Sequence, residues 1–311
     1  MEIKFSIIIP LYNKEDYVLK TLESVFNQTY TNYEVIVVND CSTDNSAELI
    51  KSLKDSRVKL LAHKENLGLS ATRNTGIAAA THEYIAFLDA DDCWKKTFLE
   101  RIASLIEEFP DERVFATYYE ENFNGKILSP KVKIPENKKG TTFLITNFFE
   151  INMGKLILTQ SCFVVKKEAL KNINSYDPSV TFAEDIDFYI RCFLKYKLAY
   201  HYESNCLINT TVFGSLTQSN TSDKTYPNLK KHTGLSLHTD KFIFFYMYCF
   251  CQRLKLEKRF DEVEKLRDEI DLKYLNILQV MLLYLPQLPY KLLLKFKKLL
   301  MRKGIQPTTY F

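Results

Sequence analysis

The chain has 311 residues, 46% of them hydrophobic, with only 8 glycines and 9 prolines. These values fit one large domain or two modest ones and do not favour long disordered linkers. The net charge is +4, but six cations and no acid follow residue 286, which leaves −2 for the rest. A nearly neutral body does not favour a nucleic-acid binder, and we expect no nucleic-acid partner.

Seven scattered cysteines without a C-x₂-C pair predict free thiols, as in a reducing cytosol. Cys249 and Cys251 lie in an aromatic run, which favours packing over zinc binding. No apolar run reaches the 18 residues of a membrane span, and polar residues 13–16 follow the first apolar run too soon for a signal peptide. We therefore expect a cytoplasmic protein without a spanning helix.

Residues 5–109 alternate four times between a short apolar run and a helical pattern. The predicted strands are 5–9, 33–38, 58–62 and 84–88, and the helices cover about 18–29, 44–53, 70–80 and 98–109. Asn13 with Asp16 resembles a capping box for the first helix, and Thr43 or Asp44 is a candidate cap of the second. Strands this apolar predict an α/β fold with a mainly parallel sheet covered by helices on both faces.

Polar segments follow each predicted strand, at 12–13, 39–44, 63–68 and 89–92. Ligands of such sheets bind beyond the carboxyl ends of the strands, so these loops predict one shared site. The last segment carries Asp89, Asp91 and Asp92, whose charges repel one another unless a cation lies among them. Mg²⁺ or Mn²⁺ is the natural candidate and would bring a diphosphate with it. No Gly-rich phosphate loop is present, which disfavours dinucleotide redox enzymes and P-loop kinases.

After residue 114 the alternation fails. Residues 120–140 are polar and predict an excursion or lid, 154–165 predict another strand region, and 182–194 predict a helix opened by acids. The single tryptophan, Trp94, predicts packing in the core or at a sheet edge. From about residue 230 the pattern is helical. We divide the chain into a nucleotide-binding half (1–120), an acceptor-binding half (121–225) and a C-terminal helical, basic region (226–311).

Several segments resemble the GT-A-fold glycosyltransferases of family 2, inverting enzymes of bacterial polysaccharide and lipopolysaccharide synthesis that use nucleotide sugars. The resemblance covers residues 5–120 strongly and 155–215 more loosely. Its motifs are IPLYN at 9–13, VVNDCSTD at 37–44, NLG at 66–68 with ATRN at 71–74, DAD at 89–91 and AED at 183–185. Each motif alone is weak, but five in this order are specific.

The resemblance implies roles for individual residues. Asp40 would accept a hydrogen bond from the N3–H of uracil or thymine, and Arg73 would reach the base or the phosphates. Asp91 would bind the metal, with Asp89 on the ribose or on the metal. Asp185 would be the general base, oriented or tuned by Glu184. The nucleotide-binding set implied in this way is Pro10, Tyr12, Asn13, Asp40, Asp44, Asn66, Gly68, Arg73 and Asp89.

Structural interpretations of these residues remain open. Asp40 could satisfy local backbone amides, Asp44 could cap a helix, and Arg73 could extend along an Ala-rich helix. The three clustered acids could cap the following helix. The acids at 184 and 185 could be an acidic first helical turn.

Two departures from the family pattern matter. Cys41 stands where the family often has glycine, which is harmless only if its φ is negative. Residues 211–215 lack the Arg or His that the family often carries after the acidic helix.

The expected function is therefore metal-dependent transfer of a hexosyl or N-acetylhexosaminyl group from a UDP-sugar to a glycan or lipid-linked acceptor. A non-processive enzyme is favoured, because the Q-x-x-R-W motif of processive members is absent. A sugar nucleotidyltransferase is an alternative that the glycine-free segment 11–15 disfavours. A non-catalytic GT-A scaffold is another, opposed by the intact acids.

The basic end of the chain predicts a separate contact. Cations recur at helical spacing between 287 and 303, with apolar residues on another face. This pattern suits an interfacial helix on an anionic membrane, on the cytoplasmic face of the inner membrane. The alternative is a helical subdomain that packs on the catalytic body.

Overall fold

The computed structural model describes residues 2–212 and 224–286, together with residues 289, 292 and 295. The four predicted strand–helix units are confirmed. Their elements are β1 (Phe5–Leu11), α1 (Val18–Phe26), β2 (Tyr33–Asn39), α2 (Ser46–Ser52), β3 (Val58–Ala62), α3 (Leu69–Ala79), β4 (Tyr84–Phe87), the short β5 (Cys93–Trp94) and α4 (Phe98–Glu108). The strands β1, β2 and β4 are almost wholly buried, as their apolar sequences require.

The second half adds strands to the same sheet. Its elements are β6 (Val114–Phe123), β7 (Lys126–Leu128), β8 (Thr142–Ile145), α5 (Phe148–Ile151), β9 (Phe163–Lys166), α6 (Lys167–Asn172), α7 (Glu184–Phe193) and β10 (Leu198–Asn209). The main strand order is β3-β2-β1-β4-β9-β6-β10-β5, with β7 paired to β6 and β8 to β10. The pairs among β1 to β4 are parallel, and β9 runs antiparallel to both β4 and β6.

Two sequence expectations for this half are wrong in detail. Residues 120–140 are not simply an excursion, because β6 extends to Phe123 and forms a hairpin with β7. The strand region expected at 154–165 reduces to β9, preceded by a short 3₁₀ turn at Gln160–Cys162. The first error arises because β6 begins apolar and ends polar, so its second half resembles a loop when the partner strand is unknown.

The C-terminal part is helical, as expected: α8 (Leu237–Glu257), α9 (Phe260–Asp268) and α10 (Ile277–Tyr284). Phe242 of α8 packs against Phe148 and Phe149 of α5, which joins these helices to the sheet domain. Cys251 is fully buried, in agreement with the packing interpretation of the cysteines. All seven thiols are free. In the described part of the chain, no helix combines the length and apolarity that crossing a bilayer requires.

Candidate functional site

The loop after β1 is tied to the loop after β2 by hydrogen bonds. The N–H of Asn13 donates to Ser42 Oγ at 3.1 Å, and Asn13 Oδ1 accepts from the N–H of Thr43 at 2.8 Å. Asn13 has a φ of +51°, a left-handed value that Asn tolerates. The predicted cap of α1 by Asn13 is wrong, because α1 begins after Tyr17 and has no side-chain cap. Asn13 instead joins the two loops.

Asp44 continues this connection. Its Oδ2 accepts from the N–H of Glu15 at 2.9 Å, and its Oδ1 accepts from the N–H of Ser46 at 3.0 Å. Burial alone would raise the pKa of Asp44, but these hydrogen bonds lower it. The prediction that Thr43 or Asp44 caps α2 holds only in part: Asn45 directly precedes the helix and has no side-chain cap, but Asp44 accepts from the N–H of its first residue, Ser46. Asp44 therefore links the loop after β1 to the loop after β2 by hydrogen bonds, and its contact with a nucleotide stays a prediction.

Asp40 lies buried at the end of β2 and organises the loop after β3. Its Oδ1 accepts from the N–H of Leu67 and its Oδ2 from the N–H of Gly68, both at 2.8 Å. The Nδ1 of His63 lies 2.7 Å from Oδ1, and His63 Nε2 lies 2.9 Å from Thr75 Oγ1. The local-amide interpretation of Asp40 therefore describes its contacts here, and recognition of a base by Asp40 stays a prediction.

The other residues expected to contact the nucleotide lie around the rim of the site, which is formed by the loops after β1, β2, β3 and β4. Pro10 is buried within β1, opposite Val38 of β2, whereas Tyr12 just beyond the strand is 45% exposed. Asn66 is exposed and donates from Nδ2 to the backbone carbonyl of Asp40 at 3.3 Å. Gly68 has a φ of +86°, and a Cβ at this position would meet no atom within 4 Å. Its backbone conformation, and not crowding, therefore favours glycine.

The acidic segment after β4 places three carboxylates in different surroundings. Asp89 bonds to the Arg73 guanidinium at 2.9 Å and keeps 35% of its side chain exposed. Asp91 pairs with Lys14 Nζ at 2.9 Å. Asp92 is 4% exposed and bonds to Ser161, in the second half of the sheet domain. Two of the three acids therefore meet the other loops, and the third is structural.

Asp92 connects the acidic segment to the second half of the sheet. Its Oδ2 accepts from Ser161 Oγ at 2.6 Å, and its Oδ1 accepts from the N–H of Asn209 at 2.9 Å. Asn209 also donates through its side chain to the carbonyl of Asp91. The suggested cap of the next helix is not formed, because Thr97 precedes α4 without a side-chain cap. No signal in the sequence identified Ser161 or Asn209.

Burial and mutual repulsion raise the pKa values of two of these acids. Burial comes first for Asp91; Lys14 opposes the rise and Asp89 adds to it. The pKa of Asp92 lies well above its ordinary value because of burial and then of Asp91 and Asp89. A cation among these carboxylates would oppose both effects and favour their ionised forms.

Arg73 joins the two halves of the site. Its guanidinium is 2% exposed and donates to Asp89 Oδ1 and to Glu184 Oε1, each at 2.9 Å, above the ring of Tyr176. Burial alone would lower its pKa, but the neighbouring carboxylates raise it. In the structure the Arg73 guanidinium is buried in this bridge, and its expected contact with the base or the phosphates stays a prediction. An Arg at this point fits because its planar fork bonds two acids at once.

Glu184 and Asp185 open α7 and reach the same centre. The preceding residue, Ala183, has a left-handed φ of +59° and turns the chain into the helix. Asp185 Oδ1 accepts from the N–H of Ile186 at 2.9 Å. Burial first, and then Glu184, raise the pKa of Asp185 to about 7, although Arg73 and this hydrogen bond oppose the shift. A carboxylate with this pKa can take up a proton at neutral pH.

The donor set fits a hard divalent ion that is shared with a ligand. Asp89 and Asp91 supply carboxylate oxygens from one short segment after β4. Within the described ranges, no three His, Cys, Asp or Glu side chains form a complete protein site. Mg²⁺ and similar ions commonly need only one or two carboxylates, with phosphates and water supplying the rest. The two residues therefore fit a diphosphate-bound metal and not a metal held by protein alone.

Other expectations have mixed outcomes. Trp94 lies in the edge strand β5, stacked on Phe98, as expected. Cys41 has a φ of +61°, so the condition for a harmless replacement of glycine is not met. Of residues 211–215, those after Val212 lie outside the described residues, as does most of the basic segment 287–303.

The comparisons with known proteins agree with this geometry. The profile described as Glycosyl transferase family 2 matches residues 6–173. An Escherichia coli relative, UDP-Glc:alpha-D-GlcNAc-diphosphoundecaprenol beta-1,3-glucosyltransferase WfaP, is 33% identical over 180 residues, which cover 54% of this chain and 63% of that protein. Streptococcus pneumoniae serotype 4 glycosyltransferase GlyA is 39% identical over 120 residues, 38% of this chain.

The matched segment makes up only 17% of GlyA, so most of GlyA has no counterpart in this comparison. Among solved structures, S. aureus TarS 1-349 in complex with UDP-GlcNAc superposes with a TM-score of 0.59 at 20% identity, covering 79% of this chain and 66% of that one. This likeness confirms the expected GT-A fold. Because the family profile matches more than half of the sequence, the chain belongs to glycosyl transferase family 2.

Proposed function

We propose that this protein is an inverting, metal-dependent and non-processive glycosyltransferase. It would move a sugar from a UDP-sugar to a hydroxyl group of a glycan or lipid-linked acceptor. Family membership supports the reaction class. The names of relatives such as WfaP, which specify UDP-Glc and a diphosphoundecaprenol-linked acceptor, support the donor and acceptor classes.

On the donor side, Asp89 and Asp91 would hold Mn²⁺ or Mg²⁺ together with the diphosphate. The bound ion would supply charge neutralisation for the departing nucleoside diphosphate. Asp89 is kept in position by Arg73, and its partly exposed side chain lets a ligand approach. Asp40, Gly68 and Asn66 would contribute to the nucleoside side of the same rim.

On the acceptor side, Asp185 would be the general base. As the acceptor hydroxyl oxygen bonds to the anomeric carbon, its proton passes to the Asp185 carboxylate and the carbon–oxygen bond to the diphosphate breaks. Attack opposite the leaving group inverts the anomeric configuration. A base of this kind typically contributes about 10²–10⁴ in rate. Glu184, bonded to Arg73, would position Asp185 and tune it.

The observation that carries the proposal is the bridge from Asp89 through Arg73 to Glu184, beside Asp185. It joins the donor-side carboxylates to a carboxyl group whose pKa of about 7 suits a base at neutral pH. A local capping role for Glu184 would not require a bond to a buried cation that lies 111 positions earlier in the sequence.

The test begins with thermal shifts in the presence of nucleotide sugars, with and without Mn²⁺; a bound donor should raise the melting temperature by mass action. Transfer is then measured with the stabilising donor. Asp185→Asn should retain UDP binding and lose transfer, whereas Glu48→Gln, on the exposed face of α2, should keep both. Transfer by Asp185→Asn at the wild-type rate would place the base elsewhere. UDP binding without turnover across a broad acceptor panel would favour the scaffold alternative.

We also propose that the protein binds the cytoplasmic membrane surface peripherally through its C-terminal end. The helix α10 exposes Ile277 (82%) and Met281 (64%), and a basic run follows it in the sequence. An apolar face next to cations suits anionic lipid, each cation adding about 1 kcal/mol near the surface. Replacing Lys297, Lys298 and Arg302 by Gln should weaken sedimentation with phosphatidylglycerol vesicles; unchanged sedimentation would contradict this contact.

A further inference from the structure

Lys14, in the loop after β1, forms an ion pair with the acidic segment. Its Nζ lies 2.9 Å from Asp91 Oδ2, and the two side chains are only 14% and 15% exposed. Sequence reasoning assigned no role to Lys14. Its contact is with the carboxylate that is proposed above to bind the metal.

The backbone around Lys14 is fixed. Its N–H donates to Ser46 Oγ at 2.8 Å, and its carbonyl accepts from the N–H groups of Tyr17 and Val18 at 3.0 and 2.9 Å. These bonds anchor the residue between the loop after β1 and the start of α1. Only the flexible side chain can respond when the surroundings of Asp91 change.

The electrostatic situation of Asp91 explains why an ammonium group lies there. Asp91 shares a four-residue segment with Asp89 and Asp92 and is largely buried, so its carboxylate requires a positive neighbour, which Lys14 supplies at 2.9 Å. A divalent ion on Asp91 would meet that requirement more strongly. It would also repel the ammonium group, because two cations at one poorly solvated carboxylate cannot both keep close contact.

Resting on the proposed function, we propose that Lys14 is the built-in counter-cation of Asp91, which a divalent ion must displace in order to bind. Lys14 then sets the metal affinity of the protein. Binding of metal alone leaves the displaced ammonium without an anionic partner. A nucleoside diphosphate provides one, so Lys14 makes metal and donor binding depend on each other.

The test measures Mn²⁺ binding at pH 8 by calorimetry and by the electron paramagnetic resonance signal of free Mn²⁺, with and without UDP. Lys14→Gln should bind Mn²⁺ alone about tenfold more tightly than the wild type, the scale of losing one charge-assisted contact. UDP should then improve Mn²⁺ affinity less in this variant than in the wild type. Lys14→Arg keeps the charge and should retain the weak wild-type affinity.

Lys51→Gln is the matched control, since it makes the same charge change at an exposed position of α2 and should leave Mn²⁺ affinity at the wild-type value. Equal Mn²⁺ affinity in Lys14→Gln and the wild type, with binding still lost in Asp91→Asn, would overturn the role of Lys14 and leave the metal site intact. Mn²⁺ binding that survives Asp91→Asn would instead overturn the metal site itself. The two failures are therefore distinguishable.

Discussion

The pH dependence of transfer provides a direct test of Asp185 as the base. The pKa of this carboxyl group is raised to about 7, first by burial and then by the Glu184 charge. With that pKa, about a tenth of the protein carries the ionised base at pH 6 and about nine tenths at pH 8. The kcat/KM for transfer, which reports the free enzyme, should therefore rise about tenfold from pH 6 to a plateau above pH 8.

Glu184→Gln changes this profile in a defined direction. Removing the Glu184 charge takes away the second cause of the raised pKa and leaves Arg73 to favour ionised Asp185. A downward shift of about 1 pH unit is expected for the loss of one close like charge. Relative to its own plateau, the variant should then be about fivefold more active at pH 6 than the wild type.

The assay is kcat/KM for the donor between pH 5.5 and 9, with each variant normalised to its plateau. Glu48→Gln removes an exposed acid from α2 and should keep the wild-type midpoint. A wild-type profile that is flat across this range, or a Glu184→Gln midpoint above that of the wild type, would refute the assignment. The same pKa shift also affects folding. Because folding raises the pKa of Asp185, the contribution of this group to the free energy of unfolding falls as pH rises from about 4 to about 7.

Three further changes test the supports of the site. Arg73→Met leaves buried Glu184 without its partner and should lower the free energy of unfolding by about 3–5 kcal/mol in urea titration; a loss below about 1 kcal/mol would contradict the buried bridge. Asp40→Asn has one acceptor oxygen where Asp40 uses two, so amide hydrogen exchange at Gly68 should accelerate while that of β6 is unchanged. Lys255 donates to the carbonyl of Leu282 at 2.9 Å and to those of residues 283 and 285, at the end of α10. Lys255→Met should therefore accelerate exchange in α10, and unchanged exchange there would rule out this support.

Much of the first half was predictable from the sequence because its signals are local. Buried parallel strands are apolar throughout, helices repeat their apolar face every three to four residues, and polar loops follow the strand ends. The position of the acids after β4 therefore predicted a shared rim without any tertiary information. The second half was predicted less well, since β6 and β10 are partly polar strands whose identity depends on the partners they find in the sheet.

The sequence by itself determined the family, the four strand–helix units and the position of the acidic residues along the chain. Only the tertiary structure decided which charges meet: Arg73 with Asp89 and Glu184, and Lys14 with Asp91. Arg73 lies 16 positions from Asp89 and 111 positions from Glu184 in the sequence. No local pattern encodes such contacts, because they arise where loops and helices from distant parts of the chain meet at one edge of the sheet. That arrangement sets the pKa values on which the proposed chemistry depends.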